Sequence, residues 1–103
     1  MIEPLACSLV GQEQPVTFRP GSRIAAIVGA LSATESFYCN YGLGPEYHGP
    51  LEERGLRITA HGPEGEARAV ELDGHPFFLG TLYLPQMRPG HPVIEAFVAA
   101  AAA

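Results

Sequence analysis

The most informative stretch of the chain is residues 75–86, which read His-Pro-Phe-Phe-Leu-Gly-Thr-Leu-Tyr-Leu-Pro-Gln. The apolar run within it, residues 77–84, has the length of a strand. Gly80 disfavours a helix there, and the Phe, Thr and Tyr residues favour an extended chain. Because the run does not alternate with polar residues, it predicts a strand that is buried on both faces at the centre of an α/β sheet. Such a strand would bury Leu84 and end at Pro85, since proline has no N–H to donate.

A short loop and an apolar helix follow this run. The loop is the Arg-Pro-Gly sequence of residues 88–90, and Pro92 opens a helix that extends to the C-terminus. Four apolar residues of this helix share one face at helical spacing, namely Ile94, Phe97, Val98 and Ala101. The pattern therefore predicts a helix that returns to cover the sheet. Active sites in open α/β sheets lie beyond the carboxyl ends of the strands, which directs attention to the loop after Leu84.

The rest of the chain predicts short elements. Strands are expected at residues 5–10, 14–18, 36–43, 56–61 and 66–72, and short helices at residues 23–28 and 50–54. Ser22 suits the N-cap of the first helix and Gly29 its end, although this segment fits a strand about as well. Residues 56–61 alternate between apolar and polar side chains, so they predict a half-buried strand.

Length and composition indicate one globular domain covering residues 1–103. The formal net charge of −5 disfavours binding to nucleic acid or to an anionic membrane, and all six basic residues are arginine. No apolar stretch is long enough to span a bilayer, and the N-terminus lacks a signal-peptide pattern. The two cysteines suggest neither a metal site nor a disulfide framework, so a reducing, cytoplasmic setting is expected.

The titratable residues do not form a familiar catalytic motif. The four histidines, which are His48, His61, His75 and His91, do not have metal-ligand spacing, and structural or solvent roles are expected for them. Cys39 has no lysine or arginine nearby in sequence to lower its pKa, and Cys7 has no base beside it, so both are expected to be inert. The sequence predicts no cofactor and no metal.

The order of motifs, from His-Pro-Phe-Phe through Gly-Thr-Leu-Tyr-Leu-Pro-Gln and Gly-His-Pro to Phe-Val, resembles the end of a class I glutamine amidotransferase domain. Within that family it is most similar to the C-terminal part of the amidotransferase domain of the CTP synthases, and the resemblance extends from about residue 6 onward. It implies a flavodoxin-like α/β domain, with a mixed sheet and few helices.

The same resemblance implies a ligand site. In the family, an aromatic and basic strand contacts glutamine, and the matching positions here include Tyr38, Cys39, Asn40 and Tyr41. A surviving pocket would lie between residues 38–41 and residues 85–88. Arg88 would there meet a carboxylate, but a surface role is favoured for this arginine.

The departures from the family concern the catalytic residues. The family's strand ends in Phe-His-Pro-Glu, which supplies the base and its orienting carboxylate, whereas Leu84 and Gln86 occupy those positions here. Leucine cannot accept a proton, and neutral glutamine cannot stabilise an imidazolium. The family's nucleophile lies in a Gly-x-Cys-x-Gly turn N-terminal to the matching region, and neither cysteine here has flanking glycines. The resemblance thus implies the C-terminal half of a degenerate domain.

Three functions follow from these observations. The favoured one is a non-catalytic module that binds a small carboxylate or amide ligand, or that acts as an interaction subunit. The alternative is a fragment of a longer glutaminase-type enzyme whose nucleophile lies in an N-terminal half. The third is a structural half-domain that forms a homodimer, since an uncovered sheet edge favours association. The expected partner is accordingly a second copy or an N-terminal amidotransferase half.

Overall fold

The computed structural model describes residues 2–5 and 8–102, so Cys7 lies outside the described residues. Seven strands and three α-helices form within them. The strands are β1 (Ile2–Pro4), β2 (Gln12–Phe18), β3 (Ser32–Phe37), β4 (Tyr41–Leu43), β5 (Leu56–His61), β6 (Ala67–Leu72) and β7 (Leu79–Thr81). The helices are α1 (Arg23–Val28), α2 (His48–Glu53) and α3 (Pro92–Ala102), and two 3-10 turns lie at Pro45–Tyr47 and Pro85–Met87.

A five-stranded sheet of order β3-β2-β5-β6-β7 forms the main layer, and β1 pairs with β4 in a separate two-stranded sheet. The predicted α/β class with few helices is confirmed. Within the described residues every strand pair is antiparallel, whereas a mixed sheet was expected. Consecutive strands run antiparallel in both hairpin-like units, β2–β3 and β5–β6, so no parallel crossover is needed between them.

The five-stranded sheet is curled, and residues 79–84 connect its two ends. β7 pairs with β6, and the N–H of Leu82 continues this pairing by donating to the carbonyl of Arg68 at 2.9 Å. The N–H of Leu84 then donates to the carbonyl of Ser36, on β3 at the opposite end of the strand order, also at 2.9 Å. We call residues 79–84 the closing segment. The curled sheet surrounds one apolar core, formed by Leu9, Val16, Phe18, Ile24, Phe37, Ala60, Ala69, Tyr83 and Val93.

The prediction of a central strand at residues 77–84 is wrong. β7 has only three residues, all half-buried, and it lies at an end of the sheet. Tyr83 is the one fully buried side chain of the closing segment, and Leu84 is only half-buried. Apolar and polar residues do not alternate in this run because its residues have two roles. Part of the run forms the short strand β7, and the rest carries the backbone across to β3. Pro85 begins a 3-10 turn instead of ending a strand.

Helix α1 has the predicted bounds. The hydroxyl of Ser22 accepts a hydrogen bond from the N–H of Ala25, and Gly29 ends the helix with a φ of 75°. A second cap comes from β6, because the buried carboxylate of Glu71 accepts from the N–H groups of Arg23 at 3.0 Å and Ile24 at 2.8 Å. Local signals therefore define this helix, and a distant carboxylate anchors it to the sheet.

The predicted strand at residues 36–43 is divided in two. β3 ends at Phe37 and β4 begins at Tyr41. Between them, the carbonyls of Cys39 and Asn40 accept from the N–H groups of Leu9 and Leu5, so the chain leaves the main sheet towards β1. The strand predicted at residues 5–10 is also wrong in its described part, because residues 5 and 8–10 are not in a strand.

The predicted β5–β6 hairpin is confirmed, but its register skips twice. Ile58 pairs with Val70, Ala60 with Ala69, and His61 with Ala67. Thr59 on β5 and Arg68 on β6 are therefore unopposed, as in β-bulges. Both residues are buried, so β5 is covered on both faces here and is not the half-buried strand that its alternation predicted.

Helix α3 begins at Pro92 as predicted, but its apolar face does not cover the sheet. Ile94, Phe97 and Val98 are 39%, 57% and 58% exposed, whereas Val93 of the first turn is buried. The first turn anchors the helix, and further along it the ring of Phe97 packs edge-on against Phe77, with 5.8 Å between the ring centres. None of the helices in the described ranges is long and apolar enough to cross a membrane.

Candidate functional site

Tyr38, the last residue of the closing segment and the turn after it border a cleft of about 380 Å³. The exposed side chain of Tyr38 lies on one side of it, and Leu84 and Met87 lie on the other. Of residues 38–41 and 85–88, between which the resemblance predicts a pocket, Tyr38 and Met87 line this cleft. The first residues of β2 and the last residues of β3 complete its walls, so the cleft lies at the end of the β2–β3 pair.

The four aromatic-strand candidates do not converge on this cleft. Tyr41 lines a different cavity of about 400 Å³, because the break after Phe37 moves it into β4. The side chain of Asn40 is exposed. Cys39 is half-buried, and this burial raises the pKa of its thiol although the charge of Arg68 opposes the effect. A neutral thiol is a poor nucleophile.

Leu84 and Gln86 lie at the rim of the cleft. Leu84 immediately precedes the 3-10 turn Pro85–Met87, with its N–H bonded to Ser36 and its side chain lining the cleft. Gln86 lies in the turn and is exposed. The Leu84 side chain has no polar atom, and the Gln86 side chain is a neutral amide. The two positions thus hold no acid–base group.

A buried pair, Glu35 and His91, lies beneath this region and was not identified from the sequence. The two residues are 3% and 1% exposed, and His91 Nε2 lies 3.0 Å from both carboxylate oxygens of Glu35. His91 Nδ1 accepts from the N–H of Val93 at 3.1 Å, which caps α3. Because Nδ1 accepts a hydrogen bond, Nε2 carries the proton, and its N–H donates a hydrogen bond to the Glu35 carboxylate. Both ring nitrogens are thereby engaged.

Arg88 and Tyr83 flank the pair. The guanidinium of Arg88, predicted to meet a ligand, lies 3.5 Å from the Glu35 carboxylate while much of its side chain remains exposed. Burial, together with the negative charge of Glu35, raises the pKa of Tyr83 far above its ordinary value. The Tyr83 hydroxyl has no hydrogen-bond partner in the described structure, and its ring packs edge-on against Phe37.

A signal for the Glu35–His91 pair was present in the sequence. Glu35 is the only acidic residue between Glu13 and Glu46, in a segment otherwise rich in apolar and small residues. Its partner lies 56 positions away, however, and only the curled sheet brings the two together. Across residues 2–5 and 8–102, no group of three or more His, Cys, Asp or Glu side chains is arranged to hold a metal ion.

Comparison with known proteins finds similarity to CTP synthases and to a CTPS glutaminase domain. No family model matches the chain. It is 34% identical over 87 residues to the CTP synthase of Caulobacter sp. (strain K31), covering 80% of this chain and 16% of that protein. It is 35% identical over 82 residues to the CTP synthase of Methanopyrus kandleri, covering 77% of this chain and 15% of that protein.

A solved structure shares the fold. The glutaminase domain of Trypanosoma brucei CTPS with bound acivicin superposes with a TM-score of 0.86 and 26% sequence identity. The superposition covers 94% of this chain and 40% of that one. The chain therefore spans less than half of the solved domain and about a sixth of the curated relatives that it matches.

Proposed function

Because the chain is a glutamine amidotransferase-like domain related to CTP synthase, we propose that it is a degenerate, non-catalytic module that acts through ligand binding or protein interaction. The observation that carries the proposal is the pair Leu84 and Gln86. By the resemblance, these are the positions of the base and its carboxylate, and neither side chain can move a proton in acyl transfer.

Two of the four histidines, His75 and His91, are engaged in hydrogen bonds and are poor substitutes for the missing base. His48 Nε2 is buried without a hydrogen-bond partner in the described structure, and no carboxylate there is bonded to orient its ring. His91 is the one histidine that is hydrogen-bonded to a carboxylate among the described residues, and both of its nitrogens are occupied in a buried site. His75 Nδ1 accepts from the N–H of Phe77. Burial lowers the pKa of His61, and no carboxylate in the described chain is bonded to orient its ring. A general base needs a free nitrogen within reach of the nucleophile.

The ligand that we propose for the cleft is a small carboxylate or amide. Tyr38 gives it an exposed aromatic wall and Met87 a flexible apolar one. Arg88 is close to the same turn and partly exposed, so it can exchange its long contact with Glu35 for a ligand carboxylate. Cys39, Asn40 and Tyr41 would then contribute only at the periphery.

The interaction role rests on uncovered apolar surface. We propose that residues 1–103 are a single partial domain, and that it pairs with a second copy or with an N-terminal amidotransferase half. The exposed side chains of Ile94, Phe97 and Val98 support this, because a contiguous apolar helix face usually marks a contact surface. The proposal excludes nucleic acid and membranes as partners, in keeping with the net charge of −5, and places the protein in the cytoplasm.

The test of the non-catalytic role is ammonia release from glutamine by the purified chain, with an intact CTP synthase as the positive control. We expect the chain to release no more ammonia than buffer. Release that depends on protein concentration and disappears in Cys39→Ser would contradict the proposal. Release that survives Cys39→Ser but disappears in His61→Gln would contradict it equally, because it would identify a substitute base.

The second candidate is a fragment of a longer amide-hydrolysing enzyme. The observation that favours it is coverage, since the chain corresponds to 40% of the solved glutaminase-domain chain. The test is the intact mass of the protein captured from its source cells. A mass matching the 103-residue chain supports a module that acts alone, and a mass about twice as large supports the fragment.

A further inference from the structure

We propose that Glu35, His91 and Arg88 form an acid-sensitive latch, which holds the start of α3 on the sheet while His91 is neutral and releases it when His91 takes up a proton. The three side chains are joined by short contacts around one buried carboxylate. The latch lies outside the degenerate triad positions, and it operates whether or not the Tyr38 cleft binds a ligand.

His91 caps α3 only in its neutral form. Its carbonyl accepts from the N–H groups of Ile94 at 3.1 Å and Glu95 at 3.2 Å, and its Nδ1 accepts from the N–H of Val93 at 3.1 Å. Protonation of Nδ1 removes this last acceptor and places a second N–H against the first. It also adds positive charge at a helix N-terminus, where the helix dipole disfavours a cation. The first turn of α3 therefore favours the neutral ring.

Glu35 favours the charged form of the same ring. The residue is 3% exposed, and both of its carboxylate oxygens lie 3.0 Å from His91 Nε2. A buried carboxylate is costly unless positive charge compensates it, so it stabilises an imidazolium more than a neutral imidazole. Histidine is also the residue type that ordinarily changes charge near physiological pH. His91 thus lies between a carboxylate that favours its protonation and a helix start that opposes it.

Arg88 shifts this balance towards neutral His91. Its Nη2 lies 3.5 Å from Glu35 Oε2, and its side chain is 45% exposed. The contact is longer than a good hydrogen bond and partly solvated, so it compensates only part of the carboxylate charge. The same guanidinium repels a second cation on the His91 ring. The latch is therefore held closed by Arg88.

The other ionisable groups on the described elements around His91 have little influence. The closing segment and α3 contribute one each, which are Tyr83 and Glu95. Burial, together with the negative charge of Glu35, raises the pKa of Tyr83, so this phenol stays neutral. Glu95 is exposed, and water and salt screen its charge. The charge of His91 is thus decided by Glu35 and Arg88.

Release of α3 can occur without unfolding of the sheet. Val93 is the buried residue among those described in α3, and Ile94, Phe97 and Val98 are already exposed. Opening the latch therefore uncovers one buried side chain, while the strands keep their own ladder hydrogen bonds. Regions with few buried contacts open locally at lower free energy than the core. We therefore expect α3 to detach at a pH at which the sheet is still folded.

The experiment is an NMR pH titration of the full chain. It follows the His91 ring and the Val93 amide, and it uses the amide of Val16, which is fully buried in β2, to report on the core. We expect the His91 ring and the Val93 amide to change with one common midpoint as the pH falls. The Val16 amide should keep its folded signal through that change.

Two substitutions should move the Val93 midpoint in opposite directions. Arg88→Met should raise it by at least about half a pH unit, because the Glu35 carboxylate loses its other cation. Glu35→Gln should lower it, because the amide keeps an acceptor for Nε2–H without the negative charge. Arg54→Met is the matched control, since it removes an exposed arginine elsewhere and should leave the midpoint unchanged.

An unchanged Val93 midpoint in Arg88→Met would overturn the proposal, and so would an equal shift in Arg54→Met, which would mean a general effect of net charge. Separate midpoints for the His91 ring and the Val93 amide would contradict the coupling between them. Loss of the folded Val16 signal in the same transition would mean global acid unfolding and would exclude the latch. If Glu35→Gln does not fold, Arg88→Met decides alone, because its side chain is partly exposed.

Discussion

At the level of single residues, two buried carboxylates connect the sheet to the starts of helices. Glu71 on β6 accepts directly from the first N–H groups of α1. Glu35 on β3 acts through His91, which bonds the carboxylate with one nitrogen and caps α3 with the other. In both cases a charge with little access to water is stabilised by hydrogen bonds at a helix N-terminus, where negative charge or an acceptor is favoured.

Glu71→Ala should destabilise the protein by roughly 2–4 kcal/mol, because it removes two hydrogen bonds to a charged group and leaves buried donors unpaired. Chemical denaturation followed by circular dichroism measures this loss. Asp73→Ala is the matched control, since Asp73 is an exposed partner of Arg57 and its removal should cost at most about 1 kcal/mol. Equal losses in the two variants would mean that the Glu71 cap contributes nothing.

Tyr83→Phe should be neutral or stabilising at neutral pH. The hydroxyl is buried without a partner in the described structure, and such a group costs about 1–3 kcal/mol of desolvation. The ring itself should stay against Phe37, since the substitution keeps its shape. Thermal unfolding of the two proteins provides the comparison. A clear loss of stability in Tyr83→Phe would show that the hydroxyl has an acceptor.

The same residue predicts a pH dependence. Burial raises the pKa of Tyr83 above its ordinary value of 10.0, so the folded protein holds this proton more tightly than the unfolded chain does. The resulting stability is complete below about pH 10 and is lost as the pH rises towards the raised pKa. Tyr83→Phe should lose this part of the alkaline destabilisation, whereas Tyr38→Phe, at an exposed position, should retain it. Identical alkaline unfolding curves for all three proteins would contradict the assignment.

At the level of elements, the sequence predicts the structure where the signal is local. The Ser22 cap and the Gly29 end define α1 within eight residues, and the turn after His61 defines the β5–β6 hairpin. The prediction fails where contacts between residues that are distant in sequence determine the structure. The apolar residues 77–84 predict one central strand, because nothing local shows that Tyr83 enters the core while the backbone crosses to β3.

In the candidate site too, features with a local sequence signal can be predicted and features that depend on distant contacts cannot. The resemblance predicts a pocket between residues 38–41 and 85–88, and of these residues Tyr38 and Met87 line one cleft. Tyr41 is predicted in the same pocket but lines a different cavity. The sequence does not reveal this, because the hydrogen bonds of Leu5 and Leu9 to residues 39 and 40 have no local signature. Arg68 escaped notice for a related reason, since its burial results from a register skip between two strands.

The closing segment predicts a pattern of amide protection. The N–H groups of Leu82 and Leu84 are hydrogen-bonded to Arg68 and Ser36, so their exchange with deuterium should be slow. Gln86, in the following 3-10 turn, is exposed and should exchange much faster. Residue-resolved hydrogen exchange by NMR measures both. Fast exchange at Leu84 with slow exchange at Leu82 would show that the sheet is open at β3.

At the level of the whole molecule, the exposed face of α3 predicts a concentration-dependent dimer. Three large apolar side chains on one exposed helix can be covered by the same face of a second copy. Light scattering at high micromolar concentration should give twice the mass of the chain. The Val98→Ser variant should be monomeric at an unchanged melting temperature, because Val98 is 58% exposed, and Ala100→Ser, on the same helix, should remain dimeric. A monomeric wild-type protein at that concentration would exclude the dimer.

The two register skips of the β5–β6 hairpin compensate each other. Thr59 adds one residue to β5 and Arg68 adds one to β6, so the offset between Ile58 and Ala60 is cancelled before His61. Removing either residue alone would leave the strands out of phase from that point onward and exchange inward for outward side chains. Removing both would restore the phase. The buried arginine is thus tied to a threonine on the neighbouring strand, and the two positions can be gained or lost without disturbing the hairpin only as a pair.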